Sequence, residues 1–597
     1  MREFSLPALY EVAPEANLTD LIHRNAERTP DAAVISRKLG GSWRDLTASQ
    51  FLAEVHRTAK GLIAGGVQAG DRVALMSRTR YEWTLLDFAI WCAGAITVPV
   101  YETSSAEQVE WILGDSGAVA CVTETAAHER TVNQVRDRLP QLKQVWQIEG
   151  GAVEHLQAEG HDLDSALVHQ RRATLGADSI ATIVYTSGTT GRPKGCALTH
   201  RNFLHECGNI VADLPQLFRT GEASVLLFLP QAHVLGRIAE IACAVAPIRL
   251  GHLSDVKEVT AELGAFKPTL ILGVPRVFEK VYNTARAKAQ AEGKGKIFDR
   301  AAKIAMDHSR ALDEGKPGLR LKVEYKTFDK LVYSKLRAAL GGRATHAISG
   351  GAPLGERLGH FYRGIGFTVL EGYGLTETCA ATAYNPADGP VIGSVGRPLP
   401  GSAVAIADDG EVLLAGPQVF TGYWNNPEAS AEALRGGWFH TGDIGTLDDK
   451  GFLKITGRKK EIIVTAGGKN VAPAVIEDRV RAHPLVGECM VVGDGKPFVG
   501  CLVTLDREFL PTWLKLHDKP ETLSGAALMS DPDVLAGVQE AIDDGNRAVS
   551  HAEAVKKFRL LDTEWTEEGG YVTPSMKLKR AVVMRDFAGE VEALYAR

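Results

Sequence analysis

Short apolar runs alternate with helical stretches of ten or more residues, and this alternation limits the fold more than any other feature of the chain. Residues 72–76, 95–100 and 118–122 read as buried strands. Between them, 81–93 and the segment after Ser105 (Val109, Ile112, Leu113) carry helical spacing. Repeated strand–helix–strand units of this kind imply a parallel sheet covered on both faces. The pattern resumes with strands at 225–229 and 269–273 around a helix at 236–245. The expectation is an α/β chain with helices layered on mixed or parallel sheets. In such folds, ligands collect beyond the carboxyl ends of the strands.

Three strand ends carry unusual chemistry. The apolar run 181–184 stops at Thr186-Ser-Gly-Thr-Thr-Gly-Arg-Pro-Lys-Gly195, and a helix-like stretch is expected from Thr199 or His200. Glycines at 188, 191 and 195 allow close backbone approach, Thr186, Ser187, Thr189 and Thr190 offer hydroxyls, and Lys194 offers positive charge. By composition this is a phosphate cradle. It is not a Walker A loop, because Lys194 is followed by glycine instead of Ser or Thr. A second strand ends in Ala347-Ile-Ser-Gly-Gly-Ala-Pro353, and a third, 367–370, runs into Glu371-Gly-Tyr-Gly-Leu-Thr-Glu377. Three strand ends of this make-up point to one crevice.

At 597 residues the chain exceeds what one core usually supports. A net charge of −6 gives no footprint for nucleic acid. The eight cysteines lack C-x-x-C spacing and read as reduced, mostly buried thiols of a cytoplasmic protein. No apolar h-region opens the chain, and no apolar run approaches the length of a membrane span; 238–248 is short and carries Glu240. Peripheral contact with the inner face of a membrane and a homodimer stay open. Residues 284–342 are Lys/Ala-rich and read as a helical insertion with solvated faces.

The texture changes near Gly457-Arg-Lys-Lys-Glu461. A small α+β unit then follows, with a helix at 474–481, strands at 488–492 and 499–505, and a helix at 534–542. The expected division is a large unit over 1–456, a hinge at 457–460 and a mobile unit over 461–597.

The Thr186–Gly195 segment resembles the phosphate-loop signature of the AMP-forming adenylating enzymes, and further motifs extend the resemblance over nearly the whole chain. It implies an adenylate-forming fold that uses ATP with Mg²⁺. Thr186 and Glu377 match the positions that coordinate the metal with the nucleotide phosphates, and Thr376 matches one that reaches the α-phosphate. Gly350, Gly351 and Ala352 match a wall along adenine, and Tyr373, within Glu371-Gly372-Tyr373-Gly374, the ring on its other face. Asp443 in Trp438-Phe-His-Thr-Gly-Asp443 matches a ribose-binding aspartate, supported by Arg458, and Lys460 falls at the hinge position.

In Val572-Thr-Pro-Ser-Met-Lys577-Leu-Lys-Arg580, Lys577 resembles the adenylation lysine; Met576 stands where the family usually has glycine, and Lys579 is the competing assignment. The resemblance further implies a domain rotation about Lys460 that presents Thr465-Ala-Gly467-Gly468-Lys469 to the pantetheine arm of CoA. Leu229-Pro-Gln-Ala-His-Val-Leu-Gly-Arg237, with His233 near the acyl carboxylate, resembles the long-chain fatty acid–CoA ligases, although Gln231 replaces an expected leucine. The expected reaction joins a long-chain fatty acid to CoA through acyl-AMP. The alternatives are a fatty acyl-AMP ligase serving a carrier protein and a non-catalytic acyl- or nucleotide-binding relative.

Overall fold

The computed structural model describes residues 1–186, 192–573 and 576–596. Their strands form two large mixed sheets, an antiparallel sheet and two small sheets. In one large sheet the strands Ile180–Thr186, Ile96–Val100, Arg72–Met76, Ala120–Thr123 and Gln144–Gln147 run parallel, as the alternation predicts. The other has a parallel centre that includes Ser224–Leu227, Leu270–Gly273, His346–Ser349 and Thr368–Tyr373, with antiparallel strands at its edges. Burial on both faces explains why these strands read as continuous apolar runs.

One expectation needs correction. The phosphate segment does not pass directly from strand to helix. Ile180–Thr186 pairs antiparallel with Lys194–Thr199, so the segment is the tip of a hairpin. The helix His200–Asp213 begins one strand later, with Thr199 as its N-cap in a reciprocal capping box with Asn202.

The 284–342 region is helical, as expected, and its helices differ in burial. The helix Leu319–Phe328 does bury none of its residues, but Gly295–Asp313 buries Phe298, Ala301, Ala302, Ile304 and Ala305. It packs on the helix Glu356–Gly364 so closely that a Cβ on Gly364 would lie 2.0 Å from the Ala305 carbonyl oxygen. Only glycine fits there.

The antiparallel sheet brings Trp438–Leu447 beside Leu453–Arg458. The apolar packing of the large unit ends at Ile455, and that of the small unit begins at Ile463. The small unit pairs Val486–Val492, Val499–Leu505 and Val555–Leu561 in one sheet, covered by helices that include Pro473–Arg481 and Pro532–Asn546. All eight cysteines are free and buried. Among the described residues, no helix is long and apolar enough to cross a membrane.

Candidate active site

The hairpin presents Thr186 and Lys194 as cross-strand partners at the mouth of the phosphate segment. Its frame is pinned from outside: the Trp111 indole N–H donates to the Pro193 carbonyl at 2.8 Å, and the Tyr185 hydroxyl donates to Asp115 at 2.6 Å. Ser187, Gly188, Thr189, Thr190 and Gly191 lie outside the described residues. Lys194 Nζ sits 5.0 Å from the centre of the Tyr423 ring, and the Tyr423 hydroxyl donates to Glu377 Oε1 at 2.8 Å. One aromatic side chain therefore connects the hairpin lysine to the acidic end of the third motif.

Glu377 lies in a tight turn, Thr376–Thr378, just past the strand Thr368–Tyr373. The chain then passes through two positive-φ residues, Cys379 at 63° and Ala380 at 136°. This fold-back needs Gly374, whose Cβ would fall 1.4 Å from the Ala380 carbonyl oxygen. With Oε1 accepting the Tyr423 hydroxyl hydrogen bond, Glu377 keeps a second carboxylate oxygen, and Thr186 adds a hydroxyl beside Lys194. Hard oxygen donors suit Mg²⁺. No group of three or more His, Cys, Asp or Glu able to hold a metal occurs among the described residues. Mg²⁺ ordinarily keeps waters and takes phosphate oxygens beside one or two protein ligands.

Gly350, Gly351 and Ala352 follow the strand His346–Ser349, with Gly351 and Ala352 exposed. Glu371, from the neighbouring strand, is buried and accepts the Leu354 backbone N–H at 2.9 Å. Its side chain thus supports this wall from within the protein. Burial pushes its carboxyl up to about 7, only partly offset by that hydrogen bond. Gly372 and Tyr373 pair with Tyr384 and Ala383, which fixes the strand's edge. The Tyr373 hydroxyl donates to Asp443 Oδ2 at 2.6 Å, and Arg458 Nε lies 3.1 Å from Asp443 Oδ1. Burial raises the Tyr373 phenol well above its usual value, and the Asp443 charge adds to it.

The small unit contributes Lys577. Lys577 is exposed at the cleft; partial desolvation by the protein around it lowers its ammonium pKa, and the Arg458 charge lowers it further, while Asp443, Glu377 and Glu461 act in the opposite direction. His233 feels the same charge: burial, then the Lys577 charge, push the imidazole down to about 4. His233 is therefore neutral near pH 7. Its Nδ1 accepts the Leu235 N–H at 3.2 Å, capping the helix Val234–Val245. That helix is anchored by Arg237, which donates to Asp87 at 2.7 Å with both side chains fully buried. Met576, before Lys577, adopts φ 61°, the left-handed conformation that glycine would take without steric cost. Lys579 donates its backbone N–H to Tyr571 and leads into the helix Arg580–Asp586.

The structure thus gathers Lys577, His233, Glu377, Asp443, Tyr373 and Arg458. It does not bring Gly467 and Gly468 to them. The 465–469 turn bonds to itself, to Lys496 through Ala466 and to Glu553 through Lys469, all within the small unit. Lys460 is exposed and makes no ion pair among the described residues, whereas Lys459 bridges Asp409 at 2.6 Å and Glu411 at 3.3 Å. Two further ion pairs tie the units: Arg276 to Asp506 at 2.7 Å and Lys280 to Glu508 at 2.6 Å.

Sequence reasoning missed Tyr423 and Lys459. The Gly422-Tyr-Trp string was a readable signal for the first, since an aromatic pair follows a glycine there.

A two-unit α/β chain, with a hydroxyl- and glycine-rich hairpin, a Tyr–Asp–Arg cluster and a lysine delivered from the small unit, has the architecture of the adenylate-forming enzymes. A family model described as AMP-binding enzyme matches residues 22–424, and one described as AMP-binding enzyme C-terminal domain matches 460–597; the chain belongs to the AMP-binding enzyme family. It is 50% identical over 598 residues to the long-chain-fatty-acid–CoA ligase FadD15 of Mycobacterium bovis, covering 100% of each chain, and equally to that of Mycobacterium tuberculosis. Among solved structures, ATP-bound MatB from Rhodopseudomonas palustris superimposes with a TM-score of 0.70 at 23% identity, covering 96% of this chain and 99% of its own. A Mycobacterium tuberculosis fatty acyl CoA synthetase gives 0.62 at 23%, covering 96% and 99%. At that identity the two structures speak for the fold alone.

Proposed function

We propose that this chain is an AMP-forming long-chain fatty acid–CoA ligase, converting a fatty acid, ATP and CoA into acyl-CoA, AMP and pyrophosphate. The observation that carries this reading is half-identity, end to end, with relatives named for that activity.

In the first step a carboxylate oxygen of the fatty acid attacks the α-phosphorus, and the bond to the β-phosphate bridging oxygen breaks. Two anions must approach each other, so cations and positioning matter more than a base. Lys577 supplies a positive charge between carboxylate and α-phosphate. Neutral His233 orients the carboxylate by hydrogen bonding and adds no charge of its own. Asp443 takes the ribose hydroxyls, held by Tyr373 and Arg458. Gly350, Gly351 and Ala352 line adenine, the 186–194 hairpin takes the phosphates, and Thr376 reaches the α-phosphate. Thr186 and Glu377 would hold Mg²⁺, which supplies neutralisation of phosphate charge.

In the second step the CoA thiolate attacks the acyl carbonyl, and the bond to the AMP oxygen breaks. Lys577 and the Gly467–Gly468 turn act in turn, through rotation of 461–597 against 1–456 about the 457–460 hinge. The present arrangement supports the adenylation half of that cycle, with Lys577 in and the turn away. A product assay by mass spectrometry, with Mg-ATP and palmitate, tests the reading. Palmitoyl-CoA and AMP formed only when CoA is present support it; acyl-AMP that accumulates and ignores CoA would favour the carrier-loading ligase instead.

Peripheral membrane contact is the finer part of the proposal. On the helix Leu319–Phe328 and just beyond it, Leu319 is 81% exposed, Val323 59% and Leu331 56%, among Lys322, Lys326 and Lys330. Exposed leucines interleaved with lysines fit an anionic bilayer surface. Flotation with phosphatidylglycerol vesicles, weakened in K322Q/K326Q/K330Q, is the expected result; equal flotation of that variant would reject the surface.

A further inference from the structure

The turn that carries Glu377 is held in an improbable backbone shape by a residue from another element. Cys379 and Ala380 both have positive φ without being glycine, and such conformations persist only where the surroundings impose them. One tie comes from Glu206, two turns into the helix His200–Asp213: its Oε1 accepts the Ala381 backbone N–H at 2.5 Å. Glu206 is fully buried, the Cys379 thiol lies beside its carboxyl, and among the described residues its Oε2 has no partner of ordinary hydrogen-bond geometry. A carboxyl placed this way is costly unless the bond it makes matters.

The helix that carries Glu206 is the continuation of the phosphate hairpin. It starts at His200, directly after the strand Lys194–Thr199. The same helix reaches the segment beyond the turn a second time, where Asp213 accepts the Tyr384 hydroxyl at 2.8 Å. One rigid element thus spans from Lys194 to the backbone that presents Glu377.

We propose that Glu206 is a positioning residue: through the Ala381 N–H it fixes the 377–381 turn against the hairpin's own helix, and so sets the spacing between Glu377 and the phosphate-binding hairpin. Its contribution is to metal–nucleotide binding and adenylation, not to thioester formation. The inference rests on the reading of Glu377 as a Mg²⁺ ligand. Burial pushes the Glu206 carboxyl well above the usual carboxylate range. Glutamine keeps both the shape and the acceptor oxygen that the Ala381 N–H uses, while methionine keeps the volume and loses the acceptor.

The test uses the full chain and compares wild type, E206Q, E206M and E377Q. Binding of Mn²⁺–ATP is followed by electron paramagnetic resonance, and the two half-reactions are assayed separately. E206M is expected to weaken Mn²⁺–ATP binding about tenfold, the scale of one lost buried hydrogen bond. It should slow adenylation and leave conversion of supplied acyl-AMP with CoA unchanged. E206Q should bind within about twofold of wild type, because its acceptor is retained. Circular dichroism and the retained thioester step show that E206M is folded. Unchanged Mn²⁺–ATP binding in E206M, equal loss in E206Q and E206M, or equal loss of both half-reactions would each overturn the proposal. E377Q separates the two readings: if it leaves Mn²⁺–ATP binding unaltered, the metal role of Glu377 fails; if it weakens binding while E206M does not, only the positioning role of Glu206 fails.

Discussion

Asp443 and Arg458, fifteen residues apart in sequence, sit directly opposite each other on adjacent antiparallel strands, 3.1 Å between Oδ1 and Nε. The Tyr373 hydroxyl holds the other carboxylate oxygen. Both carboxylate oxygens of the aspartate are thus held by protein groups. Replacing it with asparagine leaves the shape and removes the charge that would receive two ribose hydroxyls. The D443N variant should raise KM for ATP about 10- to 100-fold, the scale of lost charged hydrogen bonds, with KM for fatty acid little changed. Steady-state kinetics with each substrate varied in turn checks this; equal rises in both KM values would reject the ribose role.

Lys577 and Lys460 should separate the two half-reactions. K577A is expected to cripple acyl-AMP formation and spare thioester formation from supplied acyl-AMP. K460P, which stiffens the junction, should do the reverse. Single-turnover assays of each step decide the matter, and loss of both steps in K577A would remove it from the adenylation role.

Met576 tests the backbone at the lysine loop. At φ 61°, glycine fits without strain and a β-branched residue resists. M576G should keep adenylation within about twofold of wild type, whereas M576V should lose about tenfold, corresponding to roughly 1–2 kcal/mol of left-handed strain. Comparable rates for the two variants would show that this conformation is not required.

The ion pairs Arg276–Asp506 and Lys280–Glu508 hold the small unit in the present arrangement. They are partly exposed, so each contributes only about 0.2–1 kcal/mol, screened by salt. R276D/K280E should slow adenylation about two- to tenfold at low salt, and adding D506R/E508K in the same chain should restore it. Failure of that restoration would show that the pairs do not set the equilibrium.

Glu371 gives stability a pH dependence. Folded, its carboxyl holds its proton to about 7, against an ordinary value of 4.5. Between those values the folded state binds the extra proton, so stability falls as pH rises through that window, by about 3 kcal/mol in total. Urea unfolding at about pH 5 and pH 8 should show a smaller fall in E371Q than in wild type. Identical slopes would rule out Glu371 as the source.

By itself, the sequence determined the elements and the chemistry at their ends. Strands that are buried on both faces must be apolar, and glycine, hydroxyl and lysine residues past their ends are a local signal, so Thr186, Lys194, Gly351 and Glu377 were legible before any fold. The Met-for-Gly departure at 576 and the break in texture near 457 were local too. Tertiary structure decided what pairs with what. It made the phosphate segment a hairpin tip, because Lys194–Thr199 pairs antiparallel with Ile180–Thr186. It gave the helix Gly295–Asp313 a buried face, and it drew Lys577, and not the Gly467–Gly468 turn, toward His233 and Asp443. Tyr423 and Glu206 belong to the same class: each acts on a residue distant in the chain, 46 and 175 positions away. Spacing reports periodicity along the chain. Contacts between distant segments depend on how whole elements pack, and no single stretch of sequence contains that.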